Sequence, residues 1–381
     1  MIPYGKHQVD EDDIASVVDV LRTKFLTQGQ LIPQFEQGLC DYTGSQFAVA
    51  VNSGTSGLHI ACLAAGVGAG DLVWTVPNSF VASANCALYC GAAIDFVDIE
   101  PLSRNMSLDA LQQKFVEALK KNTLPKALIV VHFAGLSCDM QAIQTLCQQH
   151  KVILIEDAAH ALGGSYQSAK IGSCQYSDMT VLSFHPVKSI TTAEGGAVLT
   201  NSEHFHHKLK LFAKHGVTRE QEFMSEPSHG PWYYQQIELG YNYRLSDLHA
   251  ALGISQLKKL DGFIQKRTEI AQRYQAELAS LPVTLPHCDE NSQSAWHLYM
   301  LELQGHDRLS IFEALRRKGV GVNVHYIPIH LQPYYQNMGF KSGNFPNAEA
   351  FYLNALTIPL FPAMMADEQD KVIQALKEVL V

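Results

Sequence analysis

The sequence predicts an α/β protein in which a large domain built on a mainly parallel sheet is followed by a smaller α+β domain. Short β-rich runs alternate with helical ones over the first 245 residues. Several of these runs, ALIVVHF and VILIE among them, are apolar at successive positions, the mark of strands covered on both faces. After Leu245 the texture changes to long helical stretches with few strands. With 381 residues, 47% apolar and 17% charged, the chain can bury a sizeable core without disulfides or metal. Its length suits two domains, assigned to 1–245 and 246–381.

Strands are expected at 47–51, 72–76, 93–97, 127–132, 152–156, 179–183 and 197–200, each a short aliphatic or aromatic run bordered by turn-forming residues. Helices at 56–65, 79–89, 108–120 and 140–150 fall between them, the last two with apolar residues spaced three and four apart. Beyond 245 come a long helical pattern over 246–278, a further run at 296–303, a helix at 309–318 and a strand at 321–325. Residues 220–237, rich in Gly, Pro, Ser and aromatics, read as an exposed loop, either mobile or covering a site.

A formal charge of −9 argues against nucleic acid or an anionic membrane as partner, leaving small metabolites as the expected ligands. The eight cysteines, Cys40, Cys62, Cys86, Cys90, Cys138, Cys147, Cys174 and Cys288, form no C-x-x-C pair, which suits a reducing compartment. The start, MIPYGKHQVDEDD, has no basic-then-apolar signal, and no apolar run approaches the ~18 residues of a membrane span, so a soluble cytoplasmic protein is expected. Two motifs are decoys. GVGAGD (66–71) follows a helix and precedes a strand, the reverse of a dinucleotide fingerprint. His204, His206 and His207 lie in a polar helical stretch without an acidic or cysteine complement, and no metal site is expected.

Four segments end a strand or open a helix, where open α/β sheets place ligands. Asn52-Ser53-Gly54-Thr55-Ser56-Gly57 offers small residues, two hydroxyls and a helix start; it reads as an anion cradle or an ordinary N-cap. In Glu156-Asp157-Ala158-Ala159-His160, a carboxylate closing a buried strand needs a cationic or hydrogen-bonding partner, unless Asp157 is only a cap. Lys188, in SFHPVKSITTAEGG, enters from a loop between apolar strands; burial can make it a nucleophilic amine, and otherwise it is solvated. GYNYRLS (240–246) can read a ligand or cap the following helix with Ser246.

The order and spacing of these segments, with Lys188 following Asp157 by 31 residues, resemble pyridoxal-phosphate enzymes of the aspartate-aminotransferase fold. NSGTSGL, EDAAHALG, SFHPVKSITTAEGGAV and GYNYRLSDLHAALGISQLKKL closely resemble the DegT/DnrJ/EryC1/StrS family of nucleotide-sugar aminotransferases over nearly the whole chain. FLTQGQ, PNSFVASAN, SITTAEGGAVLTN and VHYIPIH resemble, more narrowly, its branch in pseudaminic acid biosynthesis. The resemblance implies a pyridoxal-phosphate-dependent transferase of fold type I and a transfer of nitrogen from L-glutamate to C4 of a UDP-linked 4-keto-6-deoxy-N-acetylhexosamine.

Carried over residue by residue, the resemblance makes Lys188 the lysine that bonds to the cofactor and then acts as base and acid in the 1,3-proton shift. It makes Asp157 the partner of the pyridinium nitrogen, and His160 a residue beside the phenolic oxygen. Gly54, Thr55, Ser56 and Ser183 are expected on the phosphate, Phe80 on the free face of the ring, and Asn242 on the phosphate of the other subunit's cofactor, which implies a homodimer with shared sites. Tyr4, Phe25, Leu26, Thr27, Gln28, Asn323, Val324, His325 and Tyr326 are expected at the sugar nucleotide. Competing expectations are a family member acting on a dTDP-linked or 3-keto sugar, and a non-catalytic pyridoxal-phosphate-binding scaffold. Retention of Lys188, Asp157 and Ser183 together speaks against the scaffold, which needs no electron sink.

Overall fold

The computed structural model describes residues 1–287 and 289–380, so Cys288 and Val381 lie outside the described residues. Seven strands form the large sheet in the spatial order Phe47–Val51, Gly196–Thr200, Met179–Ser183, Ile153–Asp157, Ala127–Val131, Leu72–Thr75, Ala93–Phe96. Gly196–Thr200 runs antiparallel to both its neighbours, and the remaining pairs are parallel. Every residue of Ala127–Val131 and of Gly196–Thr200 is buried, as strands covered on both faces require. Helix starts between the strands are set by side-chain caps: Ser53, Ser107 and Asp139 each accept a backbone N–H from the first turn of the helix that follows.

The C-terminal part carries a three-stranded antiparallel sheet in the order Val283–Thr284, Tyr299–Leu303, Ala355–Ile358. Its buried side chains, including Tyr274, Leu301, Leu315, Leu356 and Leu376, form a second hydrophobic core. Residues beyond 245 also enter the first core, through Ala250, Phe263, Ile264, Leu298 and Phe351. The N-terminal strand-like stretch docks on this C-terminal part, with Gly321 N–H donating to the Ile2 carbonyl at 2.7 Å and Leu360 N–H to the Tyr4 carbonyl at 3.1 Å. That docking delivers Tyr4 to the same face as residues 323–326.

Two expected elements differ. The pattern over 246–278 folds as two helices, Asp247–Leu257 and Leu260–Leu278. The break at Lys258 and Lys259 is held by contacts from the N-terminus: the Gln256 amide donates to Asp13 Oδ2 at 2.7 Å and to the Gln8 carbonyl at 2.8 Å, and Lys259 pairs with Asp13 at 3.0 Å. The expected strand at 321–325 shrinks to a single bridge from Asn323 to Thr357. At that bridge Asn323 and Thr357 exchange N–H donors at 3.1 and 2.8 Å, and past it the His325 side chain, not a backbone group, meets Thr357 Oγ1 at 2.8 Å.

Residues 220–237 carry a short 3₁₀ turn, Gln221–Phe223, and a two-residue pairing of Gln235–Gln236 with Val217–Thr218. The seven described cysteines are free thiols. Among the described residues, no helix is long and apolar enough to cross a membrane. On the helix Glu203–Ala213, the His206 ring stacks on Phe47 and His207 packs against Phe223.

Candidate active site

At the carboxyl ends of the central strands lies a cavity of about 490 Å³, within the range of small-molecule sites. Strand Ile153–Asp157 ends on Asp157, Met179–Ser183 ends on Ser183, and the turn after Phe47–Val51 opens the helix Gly54–Ala64; all three ends face this cavity. Of the expected site residues, Tyr4, Gly54, Thr55, Phe80, Asp157, His160, Ser183, Lys188, Asn323, Val324, His325 and Tyr326 line it.

The helix Gly54–Ala64 is capped by Ser53, whose Oγ accepts the Ser56 N–H at 3.1 Å, while the first N–H groups have no intrahelical acceptor. Gly54 lies against the neighbouring strand end: a Cβ there would sit 3.0 Å from Ser183 Cβ. The two segments thus form a shallow cradle of N–H groups and hydroxyls suited to an anion. The Ser56 hydroxyl turns away from it, donating to Asn52 Oδ1 at 2.6 Å and meeting Ser53 Oγ at 2.9 Å.

Asp157 is buried, and its carboxylate is fixed from two sides: Ser83 Oγ donates to Oδ2 at 2.6 Å, and the Ala159 N–H donates to Oδ1 at 3.2 Å. Ser83 is itself paired with Ser79 at 2.7 Å. Lys188 hangs from a loop tied back by Phe184, whose N–H donates to the Gly195 carbonyl and whose carbonyl accepts from Thr191 and Thr192. Burial pushes the Lys188 amine down to about 8, against the opposing pull of Asp157.

His160 is buried, with Nε2 3.3 Å from the Tyr326 hydroxyl. Burial, then the Lys188 charge and His325, hold it well below the usual imidazole range, so it is neutral. His325 is pushed down to about 4 by burial and Lys188, and its Nδ1 meets Thr357 Oγ1 at 2.8 Å. Phe80 stands at the rim, 58% exposed, with its ring 6.4 Å from that of Tyr326.

Phe25, Leu26, Thr27, Gln28 and Asn242 lie outside this chain's own cavity and are exposed on its surface. One buried side chain joins the two segments. Asp247 accepts the Gly29 N–H at 2.8 Å and the Leu31 N–H at 3.1 Å, while its own N–H donates to the Leu26 carbonyl at 3.0 Å. Asp247→Ala would leave two N–H groups without their acceptor and loosen residues 25–31. If residues 25–28 meet a sugar nucleotide as the resemblance implies, its KM should rise by about tenfold, with the half-reaction of the amino donor little changed, as read by single-turnover kinetics. Equal losses in both half-reactions would contradict this assignment.

Sequence reasoning missed Ser83, Asp247 and His297, a buried residue whose ring packs on that of His160. Ser83 lies 74 positions from Asp157. Its only signal was a hydroxyl within PNSFVASAN.

The residues present fit pyridoxal 5'-phosphate: an anion cradle at one end, a fixed carboxylate at the other, an amine of lowered basicity between them, and neutral imidazoles around it. Residues 7–377 match the DegT/DnrJ/EryC1/StrS aminotransferase family. The chain is 38% identical over 370 residues, 96% of its length and 93% of the relative's, to the UDP-4-amino-4,6-dideoxy-N-acetyl-beta-L-altrosamine transaminase of Campylobacter jejuni. It is 37% identical over 386 residues, 100% and 97% of the two chains, to the spore coat polysaccharide biosynthesis protein SpsC of Bacillus subtilis. Among solved structures, Helicobacter pylori PseC, an aminotransferase involved in the biosynthesis of pseudoaminic acid, superposes with a TM-score of 0.91 at 32% identity, covering 100% of this chain and 99% of that one. The PLP form of Spr1654 from Streptococcus pneumoniae gives 0.90 at 29% identity, covering 100% of both chains. With fold, family and a cofactor-shaped site in agreement, the chain belongs to the DegT/DnrJ/EryC1/StrS family and is a pyridoxal-phosphate-dependent sugar aminotransferase.

Proposed function

We propose that this aminotransferase moves nitrogen from L-glutamate to C4 of a UDP-linked 4-keto-6-deoxy-N-acetylhexosamine, working as a cytoplasmic homodimer. The observation that carries the reading is the meeting of Lys188, Asp157 and the Gly54–Ser183 cradle in one cavity whose far wall is built by Tyr4 and residues 323–326. Likeness to the C. jejuni transaminase over most of both chains supports the choice of sugar.

Pyridoxal 5'-phosphate, when bound, supplies an aldehyde that takes up the donor's nitrogen and a ring that accepts the electron pair released at the donor's Cα. Lys188 Nζ anchors the cofactor and, once freed, is the base that takes the proton from the donor's Cα and the acid that returns it. Asp157, oriented by Ser83 and Ala159, holds a proton on the ring nitrogen. His160, kept neutral by burial, would sit beside the phenolic oxygen. Gly54, Thr55 and Ser183 would hold the phosphate, Phe80 would cover the open ring face, and Asn242 would complete the phosphate site from the partner subunit; Ser56, expected on the phosphate, instead braces the turn through Asn52 and Ser53. Tyr4, Asn323, Val324, His325 and Tyr326 hold the sugar nucleotide, joined by Phe25, Leu26, Thr27 and Gln28 across the subunit boundary. The exposure of Asn242 and of residues 25–28 supports this sharing, since neither segment serves its own chain's cavity.

The lowered basicity of Lys188 makes a kinetic prediction. Only the neutral amine attacks an aldehyde, so about a tenth of apoenzyme molecules are competent at pH 7 and about nine tenths at pH 9, for a group titrating at about 8. The rate at which apoenzyme acquires visible absorption after mixing with pyridoxal 5'-phosphate should rise with pH and level off above about 8. A rate still climbing tenfold per pH unit beyond 9 would mean that Lys188 keeps the ordinary lysine value.

Substrate choice is tested by incubating the holoenzyme with L-glutamate and a panel of UDP- and dTDP-linked 4-keto and 3-keto sugars, reading product configuration by NMR. Turnover confined to a dTDP-linked or 3-keto sugar would overturn the proposed substrate while leaving the aminotransferase assignment intact.

A further inference from the structure

His160 is the only expected cofactor contact whose ring is held by a second histidine. The His160 and His297 rings lie 4.2 Å apart between centroids, at 37°, and both residues are buried. The sole hydrogen bond to the His160 side chain among the described residues is the 3.3 Å contact of Nε2 with Tyr326, and the Nδ1 atoms of both histidines are buried without a partner. The final torsion of an imidazole is broad and roughly two-fold. One long hydrogen bond therefore cannot fix the ring plane; of the rings around it, Tyr326 at 6.2 Å and Phe133 at 6.4 Å stand off, and His297 at 4.2 Å is the packing surface in contact.

The backbone carrying His297 is built at some cost. Trp296 and Ala134 occupy the left-handed region, with φ of 49° and 57°. Gly135, at φ 104°, permits the close approach of three segments: a Cβ there would sit 2.8 Å from the Trp296 nitrogen and 3.1 Å from the His160 carbonyl oxygen. The His297 N–H donates to the Ala134 carbonyl at 2.9 Å. Behind this turn lies Arg267, 1% exposed and without a carboxylate partner among the described residues. Its Nη1 donates to the carbonyls of Trp296, His297 and Leu360 at 3.1, 3.4 and 3.3 Å. A buried cation without a counter-charge costs several kcal/mol. Here two of its three carbonyl contacts go to the turn that presents His297.

We propose that His297 is a positioning residue for the transamination: its ring, clamped through the Trp296–His297 turn by Arg267, fixes the plane in which His160 faces the cofactor. This rests on the placement of His160 beside the phenolic oxygen proposed above. The charged and titratable groups around His160 are Lys188, Asp157 and His325 in the cavity, Tyr326 on Nε2 and His297 on the buried face, with Arg267 behind His297.

The test uses holoenzymes of His297→Leu, His297→Phe, His160→Ala and the Leu/Ala double variant, with the pH titration of the cofactor's visible absorption as the first readout and kcat and KM as the second. His297→Leu should shift the titration midpoint by about half a pH unit or more and lower kcat about tenfold, with KM values little changed. His297→Phe, which keeps a flat ring at the same place, should restore the midpoint. In the His160→Ala background the Leu substitution should add nothing further. A folded, cofactor-loaded His297→Leu enzyme with the wild-type midpoint overturns the proposal, as does an equal cost in both backgrounds. If His297→Leu does not fold, His297→Gln supplies the same comparison. A His160→Ala enzyme with unchanged midpoint and kcat would instead remove His160 from the cofactor, a separate failure that also ends the role of His297.

Discussion

Lys188→Ala is expected to abolish the visible absorption of the lysine-bound cofactor and to lower transamination by roughly 10⁴-fold or more, because the proposed mechanism makes one side chain both the covalent anchor and the proton carrier. Its environment supports both tasks. The loop between the strands Met179–Ser183 and Gly196–Thr200 is tied at Phe184, so the amine is presented to the cavity rather than to bulk water. Burial outweighs the attraction of Asp157 and brings the amine down to about 8, where a proton can be taken and returned near neutral pH. The substitution also removes a partly desolvated charge, so thermal stability should be unchanged or raised. Loss of absorption together with a large fall in Tm would point to a folding defect instead. A Lys188→Ala protein that retains both absorption and turnover would mean that another amine carries the chemistry, and the site assignment would fail.

Much of this architecture was readable from the chain because the large domain obeys local rules. The strands Phe47–Val51 and Met179–Ser183 and the helix Met140–His150 have the bounds expected from their apolar patterns and flanking caps. Where expectation failed, a distant contact had overridden local preference. Helical periodicity continues through Lys258, yet Gln256 and Lys259 are drawn to residues 8–13 and the helix breaks. The run 321–325 reads as a strand, yet its pairing is confined to the Asn323–Thr357 bridge, past which the His325 side chain is drawn to Thr357 Oγ1. The site shows the same division. Lys188, Asp157 and the Gly54 turn announce themselves because each places an unusual residue type at a strand end. Ser83, His297 and Asp247 do not, since a serine in a small-residue helix, a histidine in an apolar run and an acid in a first helical turn all have ordinary explanations. Their significance lies in partners 74, 137 and 218 positions away, counted from Ser83 to Asp157, from His160 to His297 and from Gly29 to Asp247.

Asp157→Asn separates the two readings that its sequence context allowed. Asparagine is as good a helix cap as aspartate, so a capping role predicts little change in fold or activity. The geometry permits the substitution locally: the amide oxygen can accept the Ala159 N–H, and the amide nitrogen can donate to Ser83, whose hydroxyl can turn toward Ser79. What the amide lacks is the negative charge that, in the proposed role, keeps a proton on the cofactor's ring nitrogen and with it the ring's capacity to accept electrons from the donor's Cα. We therefore expect cofactor binding and Tm close to wild type, with kcat lowered by roughly 10²–10⁴-fold in both half-reactions. Ser83→Ala, which leaves the charge in place and removes one of its two hydrogen bonds, should cost about tenfold. The order matters more than either value. If Asn at 157 were harmless while Ala at 83 were costly, Asp157 would serve the turn it closes rather than the cofactor; if Asn alone is severe, the charge is what this strand end was built to hold.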